Sequence, residues 1–219
     1  VETAIVDFHK KIMYSGVKSK SEINIDSIYQ SLNKSLGAGG KSIEPDSQQY
    51  LTAHKMIENY YNLFVPDSFK GITVKEFIQL NYNNYYMYNV VNRIDIVGDT
   101  VILIFFKFGN SPHNPNSMKY DLRILTALLG AAQLPVYRDK RIIARYLYLE
   151  SGKFLEFEPR KNEMQMFERR IKEDLLNIAV IENYFSNDKP TIKISDNYIF
   201  RSGRIYREQC AAADELAKP

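Results

Sequence analysis

The sequence predicts an α/β fold: a mixed β-sheet flanked by helices, with a helical segment at its N-terminus. Three observations carry this expectation. Helical spacing of apolar residues fills the region up to Phe64, strand-like runs follow between Val74 and Phe108, and a helix, a hairpin and a long helix complete the order. With 219 residues, 45% of them hydrophobic, the chain can bury a real core and is not expected to be disordered.

In Thr3 to Met13, Ile5, Phe8 and Ile12 recur at helical spacing. Ile25 to Leu36 reads as a second helix, closed by G-A-G-G. Asp46 to Phe64 reads as one longer helix with Tyr50, Met56, Ile57, Tyr60, Tyr61 and Phe64 on its apolar face, broken by Pro66-Asp67-Ser68. Val74 to Leu80, Tyr85 to Val97 and Thr100 to Phe108 read as strands, the last two joined by a tight turn at Gly98-Asp99. Residues 110 to 117 form a loop, and Asp121 to Gln133 is an apolar helix. Arg141 to Glu150 and Lys153 to Glu158 form a hairpin. Glu163 to Tyr184 is a long amphipathic helix, whose Met164, Phe167, Ile171, Leu175 and Ile178 read as core or as a partner groove. Ser186 to Phe200 reads as irregular. With no internal repeat and no domain-scale linker, residues 1–210 are expected to form one domain, followed by a flexible tail over 211–219.

Composition narrows the function classes. The net charge of +3 permits contact with nucleic acid without arguing for it. A single cysteine, Cys210, excludes an internal disulfide framework and a cysteine-based zinc site. No run of 18 apolar residues and no signal-peptide pattern occur, so no membrane contact is expected and an intracellular setting, cytoplasmic or virus-associated, is. The chain begins at Val1, which is compatible with a segment upstream.

The chemistry concentrates on two neighbouring strands. One carries Asp95; the next, T-V-I-L-I-F-F-K-F, carries Lys107. An acid on one strand and a lysine on the next is the skeleton of a metal-dependent nuclease site, in which the lysine orients water or stabilises developing charge. Such a site wants a second carboxylate two residues before the lysine, and that position is Phe105. Residues i and i+2 of a strand share a face, so Phe105 and Lys107 are expected to point together toward Asp95. One carboxylate would hold Mg²⁺ or Mn²⁺ poorly. The structural alternative is an Asp95–Lys107 ion pair, buried or half-buried. Glu76 is a candidate for a migrated carboxylate, with a surface acid the preferred reading. His9 is a candidate to reach the same site, with a polar-face helix residue preferred; His54 and His113 read as surface residues. Near the end, R-S-G-R-I-Y-R offers Arg201, Arg204 and Arg207 to phosphate or to a stacked base. The alternative is that they pair with acids and close the fold. Arg138, Lys140 and Arg141 read as a solvated turn.

These residues and their order resemble the PD-(D/E)XK nuclease superfamily, above all the branch with the RecB and AddB nuclease domains and the CRISPR-associated RecB-like exonucleases. N-R-I-D, Asn92 to Asp95, stands where that family has a G-R-I-D-like strand, with the metal-binding Asp kept. F-F-K-F-G, Phe105 to Gly109, stands for a D-Y-K-T-G-like strand end, keeping lysine and glycine and losing the carboxylate. E-T-A-I-V-D-F replaces a G-T-A-x-H-like helix, with Glu2 at the glycine and Val6 at the histidine. R-I-L-T-A, Arg123 to Ala127, replaces Q-L-x-x-Y, and the iron–sulfur cysteines of the family fall on Arg201, Arg204 and Cys210. The resemblance implies a restriction-endonuclease-like core, no iron–sulfur cluster, and DNA and protein partners in repair, recombination, CRISPR-associated or viral processes. It implies a degenerate, non-cutting, DNA-binding or architectural module with no cofactor. The alternatives are a Mg²⁺- or Mn²⁺-dependent exonuclease using Asp95, Lys107 and Glu76, and a pure protein-interaction scaffold.

Overall fold

The computed structural model describes residues 1–37, 47–82, 85–109, 115–187, 199–201 and 204–206. Three helices open the chain, Glu2–Ser15 (α1), Asp26–Gly37 (α2) and Gln48–Asn59 (α3). Strands Ile72–Tyr82 (β1), Tyr85–Val97 (β2) and Thr100–Lys107 (β3) follow, then Leu122–Gln133 (α4), Arg141–Tyr148 (β4), Lys153–Phe157 (β5) and Lys161–Asn187 (α5). Strands β1 to β5 form one sheet in sequence order, with β3 parallel to β4 and antiparallel pairing of β2 with β3 and β4 with β5. The expected mixed sheet flanked by helices is therefore what the chain forms. A parallel β3–β4 pair requires a crossover, which the stretch containing α4 supplies.

Two elements differ from expectation. The helix expected over Asp46 to Phe64 is α-helical only to Asn59; Tyr60–Phe64 is a π-helical turn, closed by Val65 N–H donating to the Tyr60 carbonyl at 2.9 Å. Toward the C-terminus, α5 runs to Asn187, and Ile199–Arg201 (β6) pairs antiparallel with Arg204–Tyr206 (β7). Three-residue strands are too short for an alternation signal, so sequence patterning passed over this hairpin.

The chain divides into two compact units, each discontinuous in sequence. The first comprises Val1–Glu76, Val90–Pro115 and Lys140–Phe157. Its core joins Ile5, Phe8 and Ile12 of α1, Ile28 and Leu32 of α2, and Met56 and Ile57 of α3 to Ile104 and Phe106 of β3 and Leu147 of β4. Helical spacing on one side and strand alternation on the other thus meet in one apolar layer, each fully buried side chain contributing about 1.5–3 kcal/mol. Strand β3 is buried on both faces, with Leu103, Ile104, Phe105 and Phe106 all excluded from water. Gly98 takes φ 58° in the turn between β2 and β3, a left-handed value glycine adopts without strain.

The second unit comprises Phe77–Asn89, Asn116–Asp139 and Glu158–Pro219. Helix α4 starts at Asp121, whose carboxylate accepts from Arg123 N–H at 2.9 Å, and lies against the outer part of the β1–β2 ribbon. Gly130 makes the close approach possible: a Cβ there would stand 2.7 Å from Ile78 Cγ2 and 2.8 Å from the Gln79 carbonyl oxygen. Asn89 donates to Thr126 Oγ1 at 2.6 Å on the same interface. Phe167, Ile171 and Leu175 are the buried stripe of α5, which packs with α4.

Candidate functional site

The ladder between β2 and β3 decides how the expected site residues are placed. The two-residue turn sets Val97 against Thr100, and counting back puts Asp95 against Ile102 and Arg93 against Ile104. Side chains directly opposite share a face. Asp95 and Arg93 therefore lie on the face of Ile102, Ile104 and Phe106, while Lys107 lies with Leu103 and Phe105 on the other. The expectation that Phe105 and Lys107 point toward Asp95 is corrected: Asp95 and Lys107 leave the sheet on opposite faces. Neither a shared metal site nor a direct ion pair is built from those two residues.

Asp95 has a different partner. Arg93 Nη2 donates to Asp95 Oδ2 at 2.8 Å, and both side chains are nearly excluded from solvent. Arg93 Nη1 donates to the Tyr60 hydroxyl at 2.6 Å and to the Phe64 carbonyl at 2.9 Å. The π-helical turn presents both of these acceptors, a local distortion of the kind found at specialised sites. Tyr60 Oη lies 2.5 Å from His9 Nε2. An arginine can only donate, so the Tyr60 hydroxyl accepts from Arg93, and the arrangement that also places the hydroxyl proton has Tyr60 donating to His9 Nε2. That arrangement takes a neutral His9 with its proton on Nδ1. Burial, assisted by the nearby Arg93 charge, pushes its pKa down to about 3. Burial pushes the Tyr60 hydroxyl up to about 12. His9 is 1% exposed, so it is a core residue and not the polar-face residue preferred from sequence.

The fit to a divalent metal is poor. Asp95 Oδ1 has no hydrogen-bond partner among the described residues, but the other oxygen is taken by a buried guanidinium, whose charge opposes a cation at the same carboxylate. Among the described residues, no group of three His, Cys, Asp or Glu side chains is placed to hold a metal ion.

On the other face, Lys107 Nζ sits 4.1 Å from the centre of the Tyr146 ring, a cation–π contact. Phe105 and Tyr146 meet edge to face at 6.1 Å. By alternation the β2 residues of this face are Asn92, Ile94 and Ile96, with no acid among them. One step beyond the last ladder pair, Asn92 comes level with Phe105, and the two strands part there. The Asn92 carboxamide fills the gap, accepting from Phe106 N–H at 2.9 Å and donating to Glu2 Oε1 at 2.7 Å. Glu2, read from sequence as standing at a family glycine, is thus tied to β2 through Asn92, whose carboxamide also bonds β3.

The remaining expected residues are dispersed. Glu76 is exposed on β1, as a surface acid would be. Arg201 and Arg204 face each other as the closing pair of the β6–β7 hairpin, and Arg207, Cys210 and His113 lie outside the described residues. His54 is half-buried and not a surface residue, its ring stacked on Tyr29 at 4.5 Å and tilted against Tyr50 at 4.3 Å. Sequence reasoning missed Arg93, Tyr60 and Asn92. The length of the Gly98-Asp99 turn was the available signal, because it fixes which strand positions share a face.

No protein-family model matches this chain, and no curated protein matches it either. Among the described residues, no helix is long and apolar enough to cross a membrane.

Proposed function

We propose that this chain is a PD-(D/E)XK nuclease-like domain whose cutting site has been dismantled, and that it serves as a DNA-binding or architectural module in a larger nucleic-acid-processing or viral assembly. The observation that carries the reading is the placement of Asp95. It is consumed in a buried ion pair with Arg93, on the sheet face opposite Lys107, while Phe105 occupies the position of a second carboxylate. The order α1, β1-β2-β3, α4, β4, with β4 parallel to β3, supports a restriction-endonuclease-like core. Arg201 and Arg204, paired across the β6–β7 hairpin, are the proposed phosphate contacts.

The test combines cleavage and binding. A Mn²⁺ titration with a DNA-cleavage assay is run on the wild type and on Lys107→Ala, beside a salt series of DNA affinity. The expected outcome is no cleavage that depends on Lys107, and an affinity that falls steeply with salt. Arg201→Ala and Arg204→Ala each flatten the salt dependence by about one phosphate contact. Lys107-dependent cleavage would establish the exonuclease reading instead. Absence of salt-sensitive binding would leave a protein-interaction scaffold.

A further inference from the structure

We infer that the outer face of the β1–β2 ribbon is a surface through which two copies of this chain associate. Ile78 of β1 and Asn89 of β2 both face α4, through Gly130 and Thr126. Alternation sends their neighbours to the opposite side, where Phe77, Tyr86 and Tyr88 are 66%, 40% and 43% exposed. Gln79 and Asn81 are exposed between them. This is an aromatic and carboxamide surface that nothing among the described residues covers.

Its charge identifies the occupant. From Phe77 to Asn92 the sequence holds no Asp, Glu, Lys, Arg or His, although a quarter of the chain is charged. Single-stranded nucleic acid would need a row of cations beside the rings to meet its phosphates; the stretch that carries the rings has none, and on β1 only Lys75, at its inner end, is an exposed cation. A strongly charged protein partner would find nothing to pair with. Interface cores, by contrast, are depleted of charge and rich in aromatic residues. In a two-fold contact the same patch must complement itself. A charged patch would repel its own copy, whereas tyrosine hydroxyls and glutamine or asparagine amides donate and accept equally well.

Contact is by faces and not by strand edges. Helix α4 closes the outer edge of β1: Gly130 sits on the Gln79 carbonyl, and the Gln133 carboxamide accepts from Asn81 N–H at 3.2 Å and donates to the Asn81 carbonyl at 3.3 Å. The three rings offer roughly 400 Å² per copy, below the usual share of a stable interface, so the dimer is weak and reversible.

Sedimentation equilibrium of the whole chain tests this, with loadings from well below to well above an expected dissociation constant on the order of 100 μM. The average mass is expected to climb from 25.5 kDa toward twice that value. Phe77→Lys and Tyr88→Lys, which set like charges against each other, are expected to weaken dimerisation at least about ten-fold. Tyr120→Lys, at a residue 73% exposed elsewhere, leaves it unchanged. Tyr86→Ser, which adds no charge, guards against misfolding of the lysine variants, with circular dichroism reporting the fold. A constant monomer mass at every loading, or a dimer indifferent to the ribbon substitutions, would overturn the inference.

Discussion

Replacing His9 by glutamine removes one titrating group while leaving an acceptor for the Tyr60 hydroxyl. The folded chain holds His9 neutral down to a pKa of about 3, because the ring is buried and Arg93 stands nearby. In the unfolded chain a histidine titrates near ~6.5. Between those values the unfolded state binds a proton that the native state refuses. The stability contributed by neutral His9 is therefore fully present above about pH 6.5 and is lost as pH falls toward the folded value, at about 1.4 kcal/mol per unit. From about pH 7 to about pH 5 the wild type should lose about 2 kcal/mol through this residue alone. Urea denaturation across that range should show His9→Gln losing less by that amount, at a cost of about 1 kcal/mol near neutrality for a less well-placed acceptor. His54→Gln run in parallel separates the contribution of the half-buried His54, whose pKa burial also lowers. An unchanged pH slope in His9→Gln would refute the assignment of a buried, neutral His9.

Three further outcomes follow from the packing. Arg93→Met strands a buried carboxylate and should cost about 3–5 kcal/mol, whereas Arg93→Met with Asp95→Leu should recover most of that in chemical denaturation. Asn92→Leu leaves the Phe106 N–H and Glu2 without their bridge and should cost about 1–3 kcal/mol, with amide exchange at Phe106 accelerating. Gly130→Ala should destabilise by about 1–3 kcal/mol in thermal melts, despite a helix-propensity gain of about 1 kcal/mol, because two of the atoms it meets are backbone.

Much of the fold was legible because its periodicities are strong. Ile5, Phe8 and Ile12 specify a helix face, and the continuous apolar run of β3 specifies a strand buried on both sides. The π-helical turn was not legible, since Tyr60 to Phe64 continue a helical pattern and differ from it only in their i→i+5 hydrogen bonding, of which Val65 to Tyr60 is an example. The site was half legible. Asp95 and Lys107 were found by residue type, yet which face each takes depends on turn length, and an arginine two residues before an aspartate on one strand already signals a same-face pair. His9 misled because a lone histidine among Phe8, Lys10 and Lys11 reads as polar until Tyr60 is brought to it across 51 positions.

The Gly98-Asp99 turn has an evolutionary corollary. A ladder with a period of two converts any odd change in connector length into an exchange of faces. One residue more in that turn, with β3 held in place, would carry Asp95 out of the helical layer and onto the side of Lys107. It would also strip Tyr60 and the Phe64 carbonyl of their guanidinium. In this chain Asp95 cannot both face Lys107 and hold Arg93 in the interior, and the parity of one connector decides which it does.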